Sequence, residues 1–228
     1  MTPQVVTIII QIIVLLFAIS LHEAAHAWTA SRLGDQTARM LGRVTLNPLK
    51  HIDPIGTVLF PLLLALTHLP VFGWARPTPV NTRNFKNIVR DDTLTTLAGP
   101  VSNVLAAIGA LLLLLVIKMT SPAGYQAVGA AVYSLSGVEV VSTSMLYPAA
   151  LLLCYAILIN LALAVFNMLP VPPLDGGHIV RNFLPYGAVQ MYDRIGMISL
   201  FLIFFFGGGL IRSIVTPAIG FFFHILGY

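Results

Sequence analysis

From Met1 to Leu21 the chain carries no charged residue, and the first ionisable groups after that run are His22-Glu23-Ala24-Ala25-His26. An apolar run of about 20 residues is long enough for a helix to cross a bilayer. Ionisable groups at membrane depth are costly there and mark function by default. On a helix, residues four apart lie on one face about a turn apart, so His22 and His26 can address a single ion. This is the spacing zinc peptidases use, with Glu23 on the adjoining face as a candidate general base rather than a ligand.

The rest of the chain is built for the same solvent. Hydrophobic residues make up 57% of the 228 and charged residues only 9%, against roughly 25% charged in soluble domains. Val101–Ile117, Val140–Leu174 and Ile195–Ile211 also lack charge, which provides further spans. The net charge of +4 does not point to nucleic acid, because the few Lys and Arg fall in short loops, where topology explains them. Cys154 is the single cysteine, so no disulfide forms within the chain and packing is its default role. The N-terminus has no basic region before its apolar run, and cleavage after that run would cut beside the histidines. The first segment is therefore expected to be retained.

We read an all-α polytopic membrane protein with about six transmembrane helices, as one integral-membrane domain over residues 1–228. A first helix at about Val5–Ser31 leads into a loop, Arg32–Asp53, where Arg32, Arg39, Arg43 and Lys50 outnumber Asp35 and Asp53. That loop is expected on the cytoplasmic side, of an inner membrane if the chain is prokaryotic. A shorter apolar run, Ile55–Leu69, follows Asp53-Pro54. The prolines after it give a re-entrant or β-like segment over about 71–88, for which Pro79–Phe85 is the candidate edge strand. Asp91 and Asp92 cap a third segment reaching about Met119, with Gly99-Pro100 expected to kink or restart it. Thr120–Ser144 has no Lys or Arg and faces the opposite side; its Gly, Ser and Ala content leaves its form open. A helix at about Tyr147–Met168 ends in a Pro-rich stretch, and two further helices, split at Gly207-Gly208-Gly209, occupy 189–228.

A catalytic zinc usually has three protein ligands, and Asp175 is the best third. It is the only carboxylate between Glu139 and Asp193 and follows a Pro-rich bend. An isolated Asp175-Gly176 also reads as an exposed turn. Asn103, if the third segment enters from the same side as the first one leaves, reaches a depth comparable with His22. His51 reads as an interfacial loop residue and His178 as solvent-facing or as support for Asp175.

Four motifs carry a resemblance: His22-Glu23-Ala24-Ala25-His26; Gly42-Arg43-Val44-Thr45-Leu46-Asn47-Pro48; Ala98-Gly99-Pro100-Val101-Ser102-Asn103; and Asn167 through Gly176, with Pro170, Pro172, Pro173 and Asp175. With Gly73-Trp74-Ala75-Arg76-Pro77 through Asn81 and Phe85, they run from about Ile10 to Arg181. In this order they resemble the site-2 proteases, the intramembrane zinc metalloproteases of peptidase family M50, in a compact prokaryotic branch without PDZ or CBS domains. Thr82 stands where that branch often has proline.

The resemblance implies a three-helix catalytic core within about 5–181, one zinc per chain on His22, His26 and Asp175, Glu23 as general base, and Asn103 holding the substrate carbonyl. It implies an active site toward the cytoplasmic side and substrates that are transmembrane segments of other proteins. A substrate helix must unwind before its carbonyls can be attacked, and strand addition to Pro79–Phe85 would hold it extended. From the residues alone, Asn103 reads first as an interhelical hydrogen bond. Two other functions use the same features: a divalent-metal transporter with a mid-membrane site, and a noncatalytic membrane scaffold. The glutamate between the histidines favours hydrolysis. Oligomeric state cannot be read from the sequence.

Overall fold

The computed structural model describes residues 3–59, 63, 75–135, 140, 142–206 and 208–228. Among these residues the regular structure is helical, with no strand. The helices are α1 (Pro3–Leu33), α2 (Thr37–Met40), α3 (Ile88–Thr120), α4 (Pro122–Leu135), α5 (Tyr147–Asn167), α6 (Asp175–Arg181), α7 (Tyr186–Phe206) and α8 (Gly208–Ile225). Short 3-10 turns lie at Pro48–Lys50 and Thr82–Asn84, and a π-helical turn at Pro54–Leu59. Three described segments are long and apolar enough to cross a membrane: Val5–Leu33, Ile88–Thr120 and Tyr147–Asn167. The apolar run after Asp53 lies mostly outside the described residues, as does His68.

Helix starts follow from local chemistry. Asn87 caps α3: its Oδ1 accepts from the Arg90 amide at 3.1 Å, while Asp91 Oδ2 reaches back to the Asn87 amide at 3.0 Å. This is a reciprocal capping box, and it sets the start several residues before the expected one. Helix α3 then runs through Pro100 without restarting, since backbone freed in hydrocarbon finds no water to bond. Helix α4 fills the stretch whose form the sequence left open. Ser121 Oγ accepts from the Gly124 amide at 3.0 Å, with Pro122 as the first helical residue, the arrangement of an N-cap followed by an N1 proline. Helix α7 ends at Phe206 and α8 starts at Gly208, with Gly208 and Gly209 helical; residue 207, in the expected split, lies outside the described residues.

Backbone contacts divide the chain into two compact units, residues 1–18 with 100–228 and residues 19–99. In the first, α4 packs on α5, α5 on α8, and α7 on both α6 and α8. Its core joins Ile10 and Val14 to Ala107, Leu111 and Leu114, and these to Val128, Ile157 and Phe222. Lys118, at the end of α3, donates to the Leu226 carbonyl and lies 4.5 Å from the Tyr228 ring centre, fastening the C-terminus. Ile8 and Ile12 of α1, and Leu105, Leu112, Leu113 and Val116 of α3, are exposed. An apolar exterior of that extent needs lipid around it.

In the second unit, the buried face of α1 is Ser20, Ala24, Ala27 and Ala30. Small residues at this spacing let another backbone come close. The start of α3 buries Asp91, Asp92, Thr95 and Thr96, and brings its Thr95 carbonyl to His26 and its Gly99 up against the His22 and His26 rings.

Candidate functional site

Helical spacing puts His22 and His26 one above the other, and both rings are buried. Their Nε2 atoms face each other at 3.0 Å, with the rings nearly perpendicular, 86° apart. His26 Nδ1 lies 2.8 Å from the Thr95 carbonyl oxygen. A carbonyl can only accept, so Nδ1 carries the proton and the His26 Nε2 lone pair points at His22. Two nitrogens bound to one tetrahedral zinc at about 2.0–2.1 Å stand roughly 3.3 Å apart. The observed spacing is close to that, and the donor type and fixed tautomer suit zinc.

Gly99 makes the pairing possible. A Cβ built there would stand 2.4 Å from His26 Nε2 and 2.6 Å from His22 Cε1. Only a bare backbone passes the two rings so closely.

Glu23 is half-buried, and a nonhelical segment holds it. The Thr78 amide donates to Glu23 Oε2 at 2.8 Å, and the Thr78 hydroxyl donates to the Glu23 carbonyl at 3.0 Å. Residues 75–81 form neither helix nor strand, and the Thr82–Asn84 turn breaks the expected β-like edge Pro79–Phe85, no part of which is strand. The turn follows from Asn81, whose side chain accepts from the Arg83 amide. Arg76, Thr78 and Asn81 all donate their amides within the protein, and Pro77 and Pro79 have none to give. Strand addition here would therefore rest mainly on carbonyl acceptors.

Arg43 is buried and donates to the Lys50 carbonyl at 2.5 Å. Burial pushes its guanidinium below the ordinary value, Arg76 adds to this, and the Glu23 carboxylate opposes it. His51 is a loop residue outside the histidine pair, and its ring is buried. It is 1% exposed, its Nε2 pairs with the Thr45 carbonyl at 2.9 Å, and its own carbonyl accepts from the Arg76 amide. The cause is that Pro48–Lys50 turns and carries residue 51 inward.

Asp175 opens α6 instead of sitting in an exposed turn, and it is half-buried. Gly176 and Gly177 fix its approach: a Cβ on the first would stand 2.3 Å from the Met168 carbonyl oxygen, and on the second 2.4 Å from Pro172 N. The Pro-rich stretch is held in turn by Tyr192, whose hydroxyl donates to the Pro170 carbonyl at 2.9 Å. Asn103 is fully buried, and its amide hydrogens go to the Ala18 carbonyl at 3.2 Å and to Asn160 Oδ1 at 2.8 Å. Donation to a substrate carbonyl would require one of these to be exchanged. Asn160 is the partner that sequence reasoning missed. The signal was there, a lone amide inside an otherwise apolar helix.

The family model described as Peptidase family M50 matches residues 10–207. The protein named "Putative zinc metalloprotease YwhC" of Bacillus subtilis (strain 168) is 39% identical over 197 residues, covering 85% of this chain and 78% of YwhC. "Putative zinc metalloprotease Rip2" of Mycolicibacterium smegmatis is 31% identical over 176 residues, covering 77% of this chain and 54% of that protein. No solved structure matches the chain. A paired-histidine helix that is itself an apolar span, in a chain that matches the family over most of its length, leaves a plain conclusion: this protein belongs to peptidase family M50, the site-2 protease family, and is a membrane zinc metalloprotease.

Proposed function

We propose that the protein is an intramembrane endopeptidase, hydrolysing peptide bonds within or near transmembrane segments of other membrane proteins. The observation that carries this is the facing pair of imidazole nitrogens, 3.0 Å apart with the His26 tautomer fixed, inside an apolar span. His22, His26 and Asp175 would hold one zinc, each offering one donor atom of a type zinc takes. Zinc bound there supplies a Lewis acid and makes water a competent nucleophile near neutral pH. Glu23 takes the proton from the attacking water and returns it to the departing amine. Asn103 steadies the substrate carbonyl once one of its own amide hydrogens leaves the Ala18 carbonyl or Asn160 Oδ1 for it.

The site opens toward the cytoplasm, since the loop after α1 carries the excess of Arg and Lys, and the membrane is a prokaryotic inner membrane. The chain works as one catalytic domain, its helices α7 and α8 accompanying a core that ends near Arg181. Test the reading by metal analysis of purified protein, paired with cleavage of a membrane-helix reporter by wild type and Glu23→Gln. Retained zinc with a rate lowered by a factor of about 10²–10⁴ is the expected result. Equal cleavage by both proteins removes Glu23 from the mechanism, and metal flux without proteolysis would make the protein a transporter.

A further inference from the structure

The carboxylate of Glu23 sits on a side chain with several rotatable bonds, so its aim needs an outside constraint. Thr78 supplies one with two groups, the amide on Oε2 and the hydroxyl on the Glu23 carbonyl. Thr78 belongs to a nonhelical stretch with no ladder of its own to hold it. Three contacts fasten that stretch instead. The Arg76 amide donates to the His51 carbonyl at 2.9 Å. The Asn81 amide donates to Asp35 Oδ2 at 2.8 Å, and Asn84 Nδ2 donates to Asp35 Oδ1 at 2.7 Å. Asp35 lies past the end of α1, is fully buried, and is itself fixed by the Thr37 amide and hydroxyl at 3.1 and 2.5 Å. One carboxylate therefore accepts four hydrogen bonds, two of them from the stretch that carries Thr78.

We propose that Asp35 and Thr78 are positioning residues for the peptidase reaction: Asp35 latches residues 81–84, and the segment so held aims the Glu23 carboxylate through Thr78. The inference rests on Glu23 acting as the base. Both act through Glu23. The same amide that aims Glu23 is withheld from substrate, so this segment serves the catalytic residue before it serves as an edge. A carboxylate is required at 35, because an asparagine there would turn one amide donor toward another.

Three variants of the full-length, zinc-loaded protein test this. Thr78→Pro removes only the donor that reaches Oε2 and the hydroxyl, at a position already flanked by prolines. Asp35→Asn leaves residue 78 untouched and supplies an independent arm. Thr78→Ser keeps both donors. Thr78→Pro and Asp35→Asn should each lower kcat by about tenfold or more, as expected when a reacting group is misplaced by roughly 1 Å. Zinc per chain should stay at the wild-type value, the fall in kcat should exceed any rise in KM, and Thr78→Ser should restore most of the rate. Hydrogen exchange of residues 75–84 should quicken in Asp35→Asn. Combining the two changes should cost little beyond the worse single one, because both break the same contact.

Wild-type kcat in either single variant overturns the proposal. So does loss of zinc or a rise in KM parallel to the fall in kcat, which would mean a general structural role. A multiplicative double variant also overturns it. Glu23→Gln run alongside separates this proposal from the one beneath it: if that variant cleaves normally, the base assignment falls, whereas if it is inactive while the Asp35 and Thr78 variants cleave normally, only the brace falls.

Discussion

Residues 19–99 bury Ser20, His22, His26, Asp35, Arg43, His51, Asp91, Asp92 and Thr95, whereas the core formed by residues 1–18 and 100–228 is almost entirely Ala, Val, Leu and Ile. In the latter the buried polar side chains among the described residues are Asn103 and Asn160, and they bond to each other. The difference teaches where each unit gets its order. One is held by close packing, which tolerates exchange of one apolar group for another of similar volume. The other is held by hydrogen bonds whose loss strands a buried polar group, so each position demands its own residue. The histidine pair and Glu23, whose lone pairs must be aimed, belong to the polar unit.

Two glycines in the same helix break this comparison most sharply. Gly99→Ala should abolish tight zinc binding, because its Cβ would lie 2.4 Å from His26 Nε2. Gly109→Ala meets nothing within 4 Å and should bind zinc as wild type does, with a gain of about 0.5–1 kcal/mol from helix propensity. Metal titration of the two purified variants decides it.

Next in size is Leu114, fully buried in the apolar core. Leu114→Ala should cost about 2–5 kcal/mol of stability by leaving a cavity, with zinc affinity unchanged, as read by denaturation in detergent and by metal titration. Asn160→Leu is a smaller perturbation, expected to cost about 1–2 kcal/mol. By freeing one Asn103 hydrogen it should also alter KM for the reporter more than Leu114→Ala does.

The smallest effect concerns pH. Burial alone would raise the Asp35 carboxyl, but hydrogen bonds from Thr37, Asn81 and Asn84 outweigh it and hold the group below its ordinary value. A depressed carboxylate contributes stability that is complete above its unfolded pKa of about 3.9 and disappears as pH falls through the folded one. Acid unfolding of Asp35→Asn should therefore be flatter below about pH 4 than that of wild type.

The sequence made some of this legible and concealed the rest for physical reasons. Helices α1 and α5 are unbroken apolar runs, and the histidine pair declares itself by a fixed local spacing, so both could be read without a fold. Helix α4 was hidden because Gly, Ser and Ala give no apolar period, although Ser121-Pro122 marks its start. The start of α3 was placed late because Asp91 and Asp92 look like caps, while the cap is Asn87 with Asp91 reaching back to it. Asp35, Thr78 and Asn160 were missed for a different reason. Their partners stand far along the chain, at Asn81 and Asn84, Glu23, and Asn103, and no local pattern encodes such a pairing.

The central claim is that two imidazoles and one carboxylate hold a single zinc. X-ray absorption at the zinc edge of the purified protein, with the metal counted per chain, tests it directly. The account predicts one zinc per chain, two imidazole nitrogens at about 2.0–2.1 Å and carboxylate oxygen in the shell, with that oxygen lost in Asp175→Ala and both metal and shell lost in His22→Ala. A sulfur-containing shell, or an unchanged spectrum in either variant, would contradict it.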